Sequence, residues 1–288
     1  MTKFLVIPRT KEQIATLQNQ MDGIVLGVKD YSVNYETTFS LPEIETITKQ
    51  YQGDIFLSIN KNILNHELKG LEDLLQYCTH LPIKGILFYD LALLRMYQKE
   101  SFPYDLIWAQ EHFTTNYATI QYYEKEGVKG TLLSSDITLQ EILTIREKTN
   151  MYLITPIFGY LPMFVSRRHL IDNYKKTFSL TEEDKAYYIT KGTERYPIVE
   201  DKNGTFIYSS QILNGAVEYP TLEKKQMDYV LLNSFRIPDT VFAEILSLFR
   251  TITDTNKEEI QKQIHQLCHE NTNTGFFEKE TIFKVKKV

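Results

Sequence analysis

Cysteine is nearly absent: Cys78 and Cys268 are the two in a chain of 288 residues. Two thiols far apart in sequence build neither a disulfide framework nor a multi-cysteine metal centre, and they point to a reducing compartment. Long apolar runs are missing too. The N-terminal MTKFLVIPRTKEQ has a five-residue apolar run before Pro8 and Arg9, too short for a secretory h-region, and nothing later approaches the ~18 residues of a membrane span. These absences lead us to expect a cytoplasmic protein with no membrane partner. Excess positive charge is also lacking: the formal net charge is -5 and the pI about 5.8. That argues against broad electrostatic capture of nucleic acid, while a local basic patch stays open. Glycine-rich phosphate loops are absent, since LGVKDYS has a single glycine and no G-x-G-x-x-G spacing.

What is present is a rhythm. Short apolar and β-branched runs at 4–7, 23–26, 55–59, 85–89, 106–109, 130–133, 152–155 and 229–232 are each followed by a longer stretch with helical spacing. Runs of this length suit strands buried on both faces, as in a parallel sheet covered by helices. Thr10 with Gln13, Ser40 with Glu43 and Thr138 with Glu141 have capping-box spacing, and Pro42 falls in a first turn, where it is tolerated. Eight β-then-α units predict an α/β fold, a (β/α)8 TIM-type barrel, because an eight-stranded parallel sheet can close and leave no edge. An open doubly wound sheet is the alternative.

The rhythm breaks between about 181 and 215. There YYITKGTERYPIVEDKNGTFIYSS alternates apolar and polar residues around Asn203-Gly204, a tight-turn dipeptide. This predicts a β-hairpin near 186–210 inserted between the seventh and eighth barrel strands. Helices are expected at 239–250 and 257–268. The expected organisation is a barrel domain over 1–250 with that insertion, and a C-terminal helical extension over 251–288 packed on it.

In such a barrel the residues beyond the C-terminal strand ends converge on one rim. That rule selects Asn34, Asn60, Asp90, Gln110, Glu111, Ser134, Ser135, Asn233 and Arg236, and the seventh position leads into GYLPMFVSRRHLIDNY with Arg167 and Arg168. Asp90 and Glu111 are candidate acid/base groups, although a carboxylate at a strand end also serves as a helix cap. Arg167, Arg168 and Arg236, with Asn60, Gln110 and Asn233, are candidate ligand-binding residues, since guanidinium groups match carboxylates and phosphates. The alternative for each arginine is an ordinary surface ion pair. Ser166, Ser209 and Ser210 lack a G-x-S-x-G elbow. In HQLCHE, residues His265, Cys268 and His269 share a helix face and suit a metal, but equally an amphipathic helix, so no metal site is assigned. The basic end IFKVKKV is either a contact for RNA or a partner, or a solvated tail.

The stretches IWAQEHFTTNYATIQYYEKEGVKGTLLSSDITLQEI, GYLPMFVSRRHLIDNY and TGFFEKETIFKVKKV resemble the collagenase-like peptidase family U32. The resemblance implies a (β/α) barrel and, despite the peptidase name, a place among relatives that act in oxygen-independent hydroxylations. One branch supports prephenate-dependent 5-hydroxylation of the tRNA wobble uridine. The short form with GYLPMF and SRR is similar to the smaller of two paralogues. It implies tRNA and a cysteine-bearing paralogue as partners and prephenate as cosubstrate. In cluster-bearing relatives this stretch carries cysteines that help hold an iron–sulfur centre. Here Pro162 stands at the first and Arg168 or His169 near the second, so no iron–sulfur cluster is expected in this chain. The segment MDYVLLNSFRIPDT resembles a family stretch usually written Lys-Ile-Glu-Gly-Arg, of which Arg236 alone remains. The competing expectations are a peptidase, as in the family name, and a non-catalytic partner of the paralogue.

Overall fold

The computed structural model describes residues 1–181, 186–269 and 271–279. Eight parallel strands form its centre: β1 (Lys3–Ile7), β2 (Gly23–Val28), β3 (Asp54–Ile59), β4 (Gly85–Phe88), β5 (Asp105–Trp108), β6 (Gly130–Leu132), β7 (Tyr152–Ser166) and, after the excursion described below, β11 (Tyr229–Asn233). β11 pairs in parallel with β1 through Lys3↔Tyr229 to Ile7↔Asn233, and with β7 through Tyr229↔Ile154. The ring is therefore closed, and the expected (β/α)8 barrel is the fold.

Alternation along each strand divides its side chains between two cores. Leu5, Val25, Phe56, Leu87, Ile107, Ile154 and Leu231 fill the barrel interior. Their neighbours Phe4, Ile24, Leu57, Ile86, Leu106, Leu153 and Val230 meet the helices. Burying each such side chain contributes roughly 1.5–3 kcal/mol. The outer layer comprises α1 (Lys11–Leu17), α2 (Leu41–Gln50), α3 (Leu68–Cys78), α4 (Leu91–Lys99), α5 (Tyr117–Lys125) and α6 (Leu139–Arg146), then α8 (Tyr219–Lys224) and α9 (Asp239–Arg250), whereas α7 (Leu170–Phe178) buries no side chain and is tied to the excursion through the Leu170 and Ile171 amides, which donate to Thr205 and Glu200. Ser40/Glu43 and Thr138/Glu141 form reciprocal capping boxes. Thr10 also caps, accepting from the Gln13 amide at 3.1 Å, but the Gln13 side chain reaches back one residue further, to the Arg9 amide.

The seventh strand is much longer than its first four residues suggest. At Gly159, φ is +117°, and the strand leaves the ring. A Cβ there would lie 2.4 Å from the Asn233 carbonyl oxygen, so glycine is required both for the conformation and for the approach of β11. Beyond it β7 pairs antiparallel with β10 (Gly204–Asn214), which pairs with β9 (Glu194–Asp201), and β9 with β8 (Tyr187–Lys191). Where one hairpin is expected there are two successive ones. The first turn is at Gly192, with φ +62°, and the second at the predicted Asn203-Gly204. The outcome is an antiparallel sheet rooted in the barrel wall.

The chain ends with α10 (Lys257–Leu267), whose Ile260 and Ile264 are buried, and a two-residue strand Thr272–Asn273 that pairs in parallel with β10. The basic end at 280–288 lies outside the described residues. No helix among the described residues is long and apolar enough to cross a membrane.

Candidate functional site

The antiparallel sheet overhangs the C-terminal mouth of the barrel. Between them is a cleft of about 240 Å³, with Val33, Asn34, Asn60, Lys61, Tyr89 and Glu111 on the barrel side and Met163, Phe164, Val165 and Arg167 on the sheet side. A narrower space of about 70 Å³ continues down between Tyr35, Ser58, Leu87, Pro156, Tyr160 and Asn233. Asn34, Asn60 and Glu111 border both. This is the rim on which barrel topology concentrates ligand groups.

Glu111 follows the end of β5 and is the chemically distinctive group. Burial pushes its carboxyl up to about 7, against the opposing pull of His112 and of the Asn34 amide and Tyr89 hydroxyl that face it. The charged form lacks water, and the few polar groups nearby do not replace it. The same carboxylate raises the Tyr35, Tyr89 and Tyr208 hydroxyls, adding to the larger effect of their own burial. Tyr208 comes from β10 and is stacked on Phe235, with ring centroids 4.0 Å apart. The overhanging sheet therefore reaches the surroundings of Glu111, through Tyr208 and through Met163, Phe164 and Val165, which line the same cleft. A carboxyl that ionises near neutrality can take or give a proton without a large energetic mismatch.

The other sequence-selected residues separate. Asp90 is occupied as a backbone acceptor: Oδ1 receives the Ala92 amide at 2.9 Å, capping α4, and Oδ2 receives the Ile63 amide at 2.9 Å. It lines neither space. Asn60 is inside, but its amide is committed to a two-point clamp on Val33, accepting from the backbone N at 2.8 Å and donating to the O at 2.9 Å. Asn233 lines the lower space and accepts from the Phe235 amide at 3.0 Å. Gln110 lines neither space, and its carbonyl accepts from Phe113.

The three arginines do not form one pocket. Arg167 lines the upper cleft, its guanidinium 3.5 Å from the Asn62 carbonyl. Arg168 is exposed outside the cleft lining, and its carbonyl accepts from Thr205 at 2.7 Å. Arg236 sits under the sheet with its guanidinium carbon 5.1 Å from the Tyr188 ring and 5.4 Å from that of Phe235. Its Nη2 is 3.5 Å from the Ile198 carbonyl. The shared anion mouth expected for these groups is replaced by one cleft arginine and one that ties the sheet to the rim.

Lys61, Tyr89 and His112 also belong to the cleft wall. Lys61 and His112 directly follow residues that the strand-end rule picks out, and Tyr89 closes the expected run 85–89 just before Asp90, so their positions were within its reach. Tyr208 carried no such signal. Away from the mouth, His265 Nδ1 lies 2.7 Å from Thr272 Oγ1, and burial pushes the Cys268 thiol up to about 11. This stretch serves packing of α10 against the strand that follows it.

Comparison with known proteins agrees with this architecture. The solved structure of the U32 peptidase Mk0906 superposes with a TM-score of 0.52 at 15% identity, covering 81% of this chain and 92% of that one. This likeness shows the fold. The tRNA hydroxylation protein P2 of Bacillus subtilis (strain 168) is 24% identical across 98% of this chain and 99% of its own length. The tRNA hydroxylation protein P1 of the same organism is 19% identical across 89% of this chain, which spans 66% of that longer protein. The family model for peptidase family U32 matches residues 9–286, and the chain belongs to that family.

Proposed function

We propose that the protein is a component of tRNA hydroxylation, namely prephenate-dependent 5-hydroxylation of the wobble uridine, working on tRNA beside a cysteine-bearing member of its own family. The observation that carries this reading is the end-to-end similarity to tRNA hydroxylation protein P2. Similarity to two relatives with the same printed role supports the paralogue partnership. Replacing a base C–H by C–O releases a proton and requires a two-electron oxidation. Glu111, ionising near 7, is suited to hold that proton. Arg167 at the cleft edge suits an anionic cosubstrate.

An iron–sulfur cluster does not fit this chain. Its two cysteines sit separately, Cys78 buried in α3 and Cys268 at the end of α10, and burial pushes their thiols up to about 12 and about 11, away from the thiolate form that ligates iron. We therefore assign the oxidising step to a partner. The peptidase reading has the family name in its favour, but among the described residues no serine or cysteine is hydrogen-bonded to a histidine to form an activated nucleophile.

The test is nucleoside mass spectrometry of tRNA from cells lacking this chain. The expected result is loss of 5-hydroxyuridine and nucleosides derived from it, restored by the wild-type chain and not by Glu111→Gln. Full modification in a deletion strain without a redundant homologue overturns the proposal.

A further inference from the structure

Asn34 has an unusual combination of properties. It is 7% exposed, and although its amide faces the Glu111 carboxyl, neither Nδ2 nor Oδ1 closes a hydrogen bond of good geometry among the described residues. Leaving a buried amide group unsatisfied is costly, because it has given up its water without gaining a partner. Its backbone is left-handed, with φ +65°, a conformation that asparagine tolerates better than most residues. Neither feature reflects a loose loop. The Asn60 clamp holds Val33 just before it, the Glu36 carboxylate accepts from the Arg236 amide at 2.9 Å just after it, and Thr37 donates to the Arg9 carbonyl at 2.5 Å. The protein holds an unsatisfied amide at the junction of the two spaces, next to Glu111.

A primary amide places an acceptor and a donor side by side in one plane. A group that satisfies both at once carries a donor and an acceptor side by side, as the pairing edge of a planar nucleobase does. Apolar side chains of Val33, Met163, Phe164 and Val165 stand around the same cleft and suit the faces of such a ring.

We propose that Asn34 is the base-reading residue of this cleft, and that it binds the donor–acceptor edge of a pyrimidine ring through two hydrogen bonds. This rests on the reading that the substrate is a nucleoside. A half-turn of the amide exchanges donor and acceptor, so Asn34 selects for an intact pairing edge and does not separate uracil from cytosine. Other cleft groups or the attached polymer must make that distinction.

The experiment measures binding of isolated nucleosides to the full chain by saturation-transfer NMR and titration. Uridine and cytidine are expected to bind with similar affinity. 3-Methyluridine, whose methyl group blocks the edge, is expected to bind about tenfold or more weakly, corresponding to about 1.4 kcal/mol. Asn34→Gly, which suits the left-handed backbone, should fold normally and lose the difference between uridine and 3-methyluridine. Equal binding of the two by the wild type, unchanged discrimination in Asn34→Gly, or no saturable uridine binding each overturns the assignment. Because modification of tRNA is not the readout, this failure is distinguishable from failure of the functional proposal. A deletion strain with full tRNA modification alongside Asn34-dependent discrimination refutes only the functional proposal.

Discussion

Replacing Glu111 by glutamine should make the protein more stable and less active, with the stability gain dependent on pH. The carboxyl is raised by burial from an ordinary 4.5 to about 7. Between those values the folded state binds more protons than the unfolded chain, so Glu111 makes stability fall as pH rises through that window. Below about 4.5 the group is neutral in both states and contributes nothing. Above about 7 the penalty is complete, and 1.36 kcal/mol per pKa unit puts it at about 3 kcal/mol as an upper bound. Glutamine keeps the shape and removes the charge. With about 2.1 cal/mol/K of unfolding entropy per residue over 288 residues, that penalty corresponds to roughly 5 °C in Tm. Thermal melts of wild type and Glu111→Gln across pH 4 to 8.5 should therefore nearly coincide at the acid end and separate by up to that amount at the alkaline end. A difference in Tm that stays flat with pH refutes the reasoning that burial sets the ionisation of Glu111. A proton-transfer role adds a fall in modification rate of about 10²–10⁴-fold.

Glu218→Gln offers a contrast. Glu218 is 2% exposed and lines neither space at the mouth, and burial, reinforced by Glu278, pushes it up to about 7. The substitution should give a similar pH-dependent rise in Tm with tRNA modification unchanged, and a loss of modification in a normally folded variant contradicts its placement outside the site. Gly159→Ala should destabilise by more than about 3 kcal/mol, because it adds a methyl 2.4 Å from the Asn233 oxygen at a φ of +117°. Urea denaturation reads this directly, and a loss below about 1 kcal/mol shows that β7 can leave the ring without glycine.

The barrel was legible because its signal is local. Strands buried on both faces must be apolar throughout, so a run such as 55–59 identifies the observed Asp54–Ile59 to within one residue. The seventh strand was read only to 155 because Pro156, Gly159 and Pro162 interrupt the ordinary strand pattern. In the fold Pro162 lies beside a register shift opposite Tyr208, where the ladder is already irregular. Site legibility stopped at a similar boundary. Strand-end position singled out Glu111 and Asp90 alike, but whether a carboxylate is consumed as a cap depends on the amides of Ile63 and Ala92, one of them 27 residues away in sequence. The fate of Arg236 was set by Tyr188 from the inserted sheet, and the cleft that Glu111 borders is closed on its far side by Met163, Phe164 and Val165 beyond the point where the seventh strand leaves the ring. These contacts span long sequence separations and leave no periodic trace.

The continuity of β7 from barrel wall into overhanging sheet bears on access. A covering joined by one linker can swing aside, but this one is anchored through two paired strands, with Tyr160↔Ile212 and Leu213↔Gly159 holding both at the point of exit. Met163, Phe164 and Val165 of β7 line the cleft that Glu111 borders, so whatever reaches Glu111 from the cleft meets the sheet as well as the barrel.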